Sequence, residues 1–287
     1  MERGVSPTLR LWQLAESLRG HRDRNDLTIE QAAGRLRPHS SRWSRSKLQR
    51  IETRIYVPKP AEVEHLAAVY EVPPDETASL VQMSREARQK GWWQNSPIPK
   101  PHQTMVGLEQ AATTMRQFEL ALVPGLLQTS DFARALMSTI APTTPIEVLE
   151  NRVAARMIRQ QVLTGADPLI LEVILGEAVL RYPVGSSRVM RGQFERLLEL
   201  TSAPNITIQV VPFVAGAHPG MEGAFTLLTL PELAHDVGYV EGQPGPIYLE
   251  SRDDVRRCTM RFAVLSSLAL SPSASAELIS TMLAEYQ

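Results

Sequence analysis

The 287 residues contain a single cysteine, Cys258, so neither an internal disulfide nor a CxxC metal site can form. On a helical face shared with Val255, Phe262 and Leu265, that thiol reads as a small core residue. No stretch stays apolar for the roughly eighteen residues that a membrane span needs, so no transmembrane helix is expected. The opening Met1-Glu2-Arg3-Gly4 lacks the apolar run of a signal peptide, and a cytoplasmic, nucleoid-associated protein is the corresponding expectation. Local catalytic signatures are missing as well: there is no GxSxG, no P-loop and no GxGxxG. Of six histidines, only His218 and His235 fall in plausible strand-connecting loops, and neither has a second His or Cys at ligand spacing. The chain is therefore expected to hold no metal and no cofactor, and not to be an enzyme.

What is present is an ordinary globular composition, 43% hydrophobic and 21% charged, over a length that suits a small domain plus a larger one. The net charge of −1 conceals an asymmetry. Residues 1–85 carry a net +3 and the remainder −4, while 19–59 hold 11 basic residues against four acidic ones, a local +7. A basic segment of that size suits phosphate contacts or a solvated face.

Leu11, Leu14, Ala15 and Leu18 place an apolar stripe on a first helix, and Arg19 to Asp26 break it. Thr28 with Gln31 forms a capping-box spacing ahead of a second stripe, Ile29, Ala32, Ala33 and Leu36, which Pro38 ends. Ser44 then caps a third helix. At 100° per residue Leu48 and Ile51 turn inward, Ser46, Gln49, Arg50 and Thr53 turn outward, and Arg45 and Lys47 flank them. Such a face suits a major-groove reader, since Arg pairs with guanine O6 and N7 and Gln with adenine N6 and N7. Arg45, Ser46, Gln49 and Arg50 are the candidate base contacts. Thr28, Arg42, Lys47, Arg54 and Lys59 are the candidate phosphate contacts, which fix register without reading sequence. A fourth helix, with Val63, Leu66, Ala67 and Tyr70 inward, closes this core before Val72-Pro73-Pro74.

The organisation expected is a helix-turn-helix domain over 1–85, a connecting helix and Pro-rich linker over 86–102, and an α+β domain over 103–287. Three prolines in 97–101 are read as forbidding helix there. Beyond them the periodicity predicts helices near 103–116, 129–140, 145–162, 187–201, 252–269 and 273–285. Strands are predicted near 117–122, 169–175, 205–211, 224–230, 237–241 and 247–250, in a mainly antiparallel sheet. Three glycines and two prolines in 212–223 shape a loop around His218, either a structural hairpin or a contact surface for a ligand or partner.

Two resemblances add to this reading. The runs Leu27-Thr28-Ile29-Glu30-Gln31-Ala32-Ala33-Gly34-Arg35-Leu36 and Trp43-Ser44-Arg45-Ser46-Lys47-Leu48-Gln49-Arg50-Ile51-Glu52 resemble the helix-turn-helix of phage-repressor-like (Xre-family) regulators, which implies a lambda-repressor-like all-α fold with Arg45, Ser46 and Arg50 facing bases. The family usually has one Gly where Arg37 to Arg42 stand here. The segments Leu122–Thr129, Arg156–Gln160, Pro204–Val210, Ala217–Met221 and Tyr248–Glu250 resemble the C-terminal domain of WhiJ-like, antitoxin-like regulators. That resemblance implies transcriptional control with a small partner protein encoded nearby, and leaves Gly125, Arg156, Arg159, His218 and Glu250 as ligand or partner candidates without assigned roles. The leading expectation is a sequence-specific regulator of double-stranded DNA whose C-terminal domain makes a homodimer and senses a small protein or metabolite. The alternative is an antitoxin-like protein that sequesters a small partner and autoregulates through DNA binding.

Overall fold

The computed structural model describes residues 6–233, 235–242 and 245–286. They divide into two units, residues 6–95 and 96–286.

The first unit is all helical: α1 (Pro7–Arg24), α2 (Ile29–Leu36), α3 (Arg45–Glu52), α4 (Pro60–Val69) and α5 (Pro74–Ala87). The Ser6 hydroxyl and Pro7 start α1, which runs through the stretch expected to break it. Arg22, on its last turn, is what a sequence pattern reads as polar loop but the fold buries. Its guanidinium donates to both Glu52 oxygens at 2.6 and 2.9 Å and to the Leu27 carbonyl at 2.6 Å. The capping box of Thr28 and Gln31 forms as the spacing requires. Leu14, Leu18, Leu36, Trp43, Leu48, Ile51, Leu66 and Tyr70 share one core. Helix α5, most of which the sequence reading left unassigned, packs Leu80 and Val81 onto it and ends at Ala87. Its prolines belong to the cap and first turn, where a missing N–H costs nothing.

The second unit begins with α6 (Lys100–Glu109) and β1 (Thr114–Glu119), then α7 (Ser130–Ile140), α8 (Ile146–Arg159), β2 (Ile170–Gly176), α9 (Ala178–Arg181), α10 (Ser187–Leu200) and β3 (Ile206–Val211). It continues with β4 (Phe225–Thr229), β5 (Val237–Gly242), β6 (Gly245–Leu249), α11 (Arg252–Leu268) and α12 (Pro272–Ala284). The expectation of no helix in 97–101 is corrected: Pro99 caps α6 and Pro101 lies in its first turn. With α6 starting and ending early, β1 also sits a few residues before its predicted place.

The sheet order is β3-β2-β1-β4-β5-β6, and the sheet is mixed instead of mainly antiparallel. β1–β2 and β2–β3 pair in parallel, while β1–β4, β4–β5 and β5–β6 are antiparallel. The reason lies in the connections. Helical crossovers join β1 to β2 and β2 to β3, which is what parallel pairing demands, whereas only two residues of sequence separate the antiparallel β5 and β6. Because β3 and β4 are not neighbours, 212–224 is no hairpin and carries the chain past β2 and β1. On one face Phe118, Ile174, Phe225 and Leu227 pack with Cys258, Phe262 and Leu265 of α11. Among the described residues no single helix is long and apolar enough to cross a membrane.

Candidate functional site

Helix α3 starts at Ser44, whose hydroxyl accepts from the Lys47 N–H at 3.2 Å. Leu48 and Ile51 are buried, and Arg45, Ser46, Gln49, Arg50 and Thr53 are exposed. No hydrogen bond or ion pair among the described residues occupies the side chains of Arg45, Ser46 or Gln49, and Arg50 lies 5.8 Å from the Tyr56 ring. The long turn before α3 is anchored, not loose: Trp43 is buried and stands edge-on to His65, which stacks on His39.

The candidate phosphate contacts are placed differently from one another. Thr28, Arg42 and Lys59 are exposed at the starts of α2, of the turn into α3 and of α4. Arg54 lies over the Trp12 ring at 3.9 Å. Lys47 is engaged inside the domain, its Nζ 2.5 Å from Glu62 and 4.3 Å from the Trp43 ring. Burial works to raise the Glu62 pKa, but hydrogen bonds from Lys47, the Lys59 N–H and Tyr56 outweigh it and hold the carboxyl below its ordinary range.

In the second unit, the sheet face opposite α11 borders a cavity of about 430 Å³ under α6, α7 and α8. Gly125, Arg156 and Arg159 come together there, while His218 and Glu250 do not line it. The Leu122–Thr129 segment folds as a short 3-10 turn in which Gln128 donates to the Val123 carbonyl at 2.7 Å and accepts from Arg156 Nη1 at 2.7 Å. Gln160 donates to the carbonyls of Gly125 and Gln128, so two of the sequence motifs build one corner. Arg159 forms a double hydrogen bond with the fully buried Glu109, at 3.1 and 2.7 Å. Burial alone would lower the Arg159 pKa, and Glu109 more than restores it. Arg156 has only a neutral amide partner, and burial followed by repulsion from Arg159 pushes it down to about 10. Across the cavity, burial pushes Glu119 up to about 7, against a hydrogen bond from Gln117 and assisted by Glu241. His102 hydrogen-bonds Glu241 at 2.8 Å and, with burial opposing, holds it below the ordinary carboxylate range.

Residues 102–281, more than half of the chain, match the family described as Domain of unknown function (DUF5753). The chain belongs to this family. Residues 13–80 match the family described as Helix-turn-helix domain, which points to a DNA-binding regulator. No curated protein and no solved structure matches the chain.

Within the DUF5753 domain, sequence reasoning missed Arg152, Glu109, Gln117, Glu119 and Glu241. The spacing of Arg152, Arg156 and Arg159 at i, i+4 and i+7 on one predicted helix was the signal for the first. The carboxylates carried none, since only the strand pairing brings β1 and β5 to one face. His218 packs edge-on against Phe118 at 5.9 Å, on the α11 side of the sheet. Cys258 is buried there too, and burial raises its thiol pKa, as a core residue requires. No group of His, Cys, Asp and Glu among the described residues forms a metal site.

Proposed function

We propose that the protein is a sequence-specific transcription regulator that reads double-stranded DNA with α3 and senses a small molecule or small protein through its DUF5753 domain. Base contacts come from Arg45, Ser46, Gln49 and Arg50, and phosphate contacts from Thr28, Arg42, Arg54 and Lys59. The observation that carries the reading is the outer face of α3: cationic and amide side chains, exposed, on a short helix whose two apolar residues are fully committed to the core. A protein-binding surface would instead place apolar or aromatic groups at its centre. Lys47 stiffens the base of α3 through Glu62 and Trp43, and with its charge already neutralised it leaves phosphate contact to its neighbours. A homodimer would place two such helices on half-sites one helical turn apart.

The test is Arg50→Ala against a selected operator and against random DNA at one salt concentration. Loss of a base contact costs about 1 to 3 kcal/mol on the operator and relaxes one position of the site. Equal losses on both DNAs would make Arg50 a phosphate contact only, and no loss on either would remove α3 as the reader.

A further inference from the structure

We propose that the cavity of the DUF5753 domain binds a small monoanionic carboxylate with an apolar body, the carboxylate being held by Arg152 and Arg156. This deepens the sensing half of the proposed function and names its ligand class.

Three observations converge. The first is unsatisfied polarity. Arg152 Nε, His102 Nδ1 and Gln117 Oε1 are buried side-chain atoms with no hydrogen-bond partner, and all three residues line this one cavity. Buried polar atoms are nearly always paired, so three orphans around one space are what a polar occupant would satisfy. The second is charge. Arg152, Arg156 and Arg159 lie along one face of α8, and the two carboxylates near them already have partners, Glu109 in Arg159 and Glu241 in His102. Glu119 rises to about 7 through burial, so near neutrality much of it carries no charge. With Glu109 committed to Arg159 and Glu241 to His102, the guanidiniums of Arg152 and Arg156 have no anionic partner among the described residues of the cavity, which is the place a ligand carboxylate fills. Arg156, donating one Nη to an uncharged amide, keeps its remaining donors for such a group. The third is the rest of the wall. Met105, Val106, Leu136 and Met137 make it apolar, and Leu122 and Ile140, 41% and 67% exposed, also line it. A volume of about 430 Å³ lies in the range of small-ligand sites.

A half-buried guanidinium whose Nε lacks a partner, set beside two further arginines on one helix face, costs stability, a cost that binding sites bear and structural sites do not. This gives the test. Calorimetry on the full-length protein without DNA uses straight-chain monocarboxylates from butanoate to dodecanoate, the alcohols of the same lengths and the corresponding alkyl phosphates. At the best length the carboxylate binds at least tenfold tighter than the alcohol and tighter than the phosphate. Arg152→Gln leaves the ligand-free protein with an equal or higher Tm, lowers carboxylate affinity at least tenfold and leaves alcohol affinity unchanged. The proposal is overturned if no carboxylate of the series binds, if alcohols or phosphates match it, if affinity survives Arg152→Gln, or if that variant unfolds more easily. Calorimetry without DNA reads only this cavity and Arg50→Ala reads only α3, so either reading can fail alone.

Discussion

Arg22 shows how one side chain can set the geometry of a reading surface. Its guanidinium joins the end of α1, the start of α2 through Leu27 and the end of α3 through Glu52, with both partners of the ion pair about nine-tenths buried. Removing one member strands the other in a poorly solvated place, so Glu52→Ala should cost about 3 kcal/mol in denaturant unfolding. Asp23, 2.7 Å from Arg22, keeps the loss from being larger. Glu119 poses the opposite case, a carboxyl whose folded-state pKa lies near 7, above the ordinary 4.5. A raised acid favours the folded state where it is protonated. Its contribution is full below about pH 4.5 and disappears as pH rises through 7. Glu119→Gln should therefore gain about 1 to 3 kcal/mol at pH 8 and flatten the stability profile between pH 5 and 8, measured by thermal melts across that range. A profile as steep as that of the parent protein would show that another group titrates.

At the level of elements, the capping box of α2 separates stability from DNA contact. Gln31→Ala removes the reciprocal bond to the Thr28 N–H and should cost a few tenths to about 1 kcal/mol of stability, leaving the operator affinity of the folded protein in place. Thr28→Ala should cost a similar amount and also weaken binding to all DNA, because the same residue faces the phosphates in the proposed complex. Identical DNA affinities for the two variants would remove Thr28 from the interface. That box was legible from sequence because capping is local, depending on two residues three apart. The inner face of α3 was legible for the same reason, and so were most helices and strands, whose periods stand out over their own length. Helix α5 was harder, since two prolines at its start mimic a break and only tertiary packing of Leu80 and Val81 distinguishes them from one. Burial of Arg22 and the placing of Glu119 and Arg156 on one cavity depend on segments far apart in the chain, and no local pattern announces them. The mixed sheet was recoverable in principle: strand, two helices, strand is a crossover, and crossovers make parallel pairs.

Across the whole molecule, each unit has a core of its own, and the basic stretch 19–59 belongs entirely to the first. A fragment ending at Asn95 should fold and keep the base preference of the full-length protein, as judged by selection from random DNA. On the proposed dimer it should bind a full operator more weakly by about 10² or more, because the second half-site is no longer tethered. Fusion to an unrelated dimeric domain should recover most of that factor in gel-shift titrations. A fragment as tight as the full chain would place dimerisation outside the DUF5753 domain.

The passage of 212–224 from β3 to β4 carries a consequence for synthesis. The chain holds both β1 and its β2 partner once Gly176 has been made, yet the other edge of β1 pairs only with β4, which ends at Thr229. While the ribosome adds those last fifty or so residues, the nascent sheet has an open strand edge in its middle, with Met115 and Phe118 beside it. Unpaired edges of this kind are the usual starting points of intermolecular strand pairing. Arrival of β4 covers that edge of β1 and passes the open edge outward, to be covered in turn by β5.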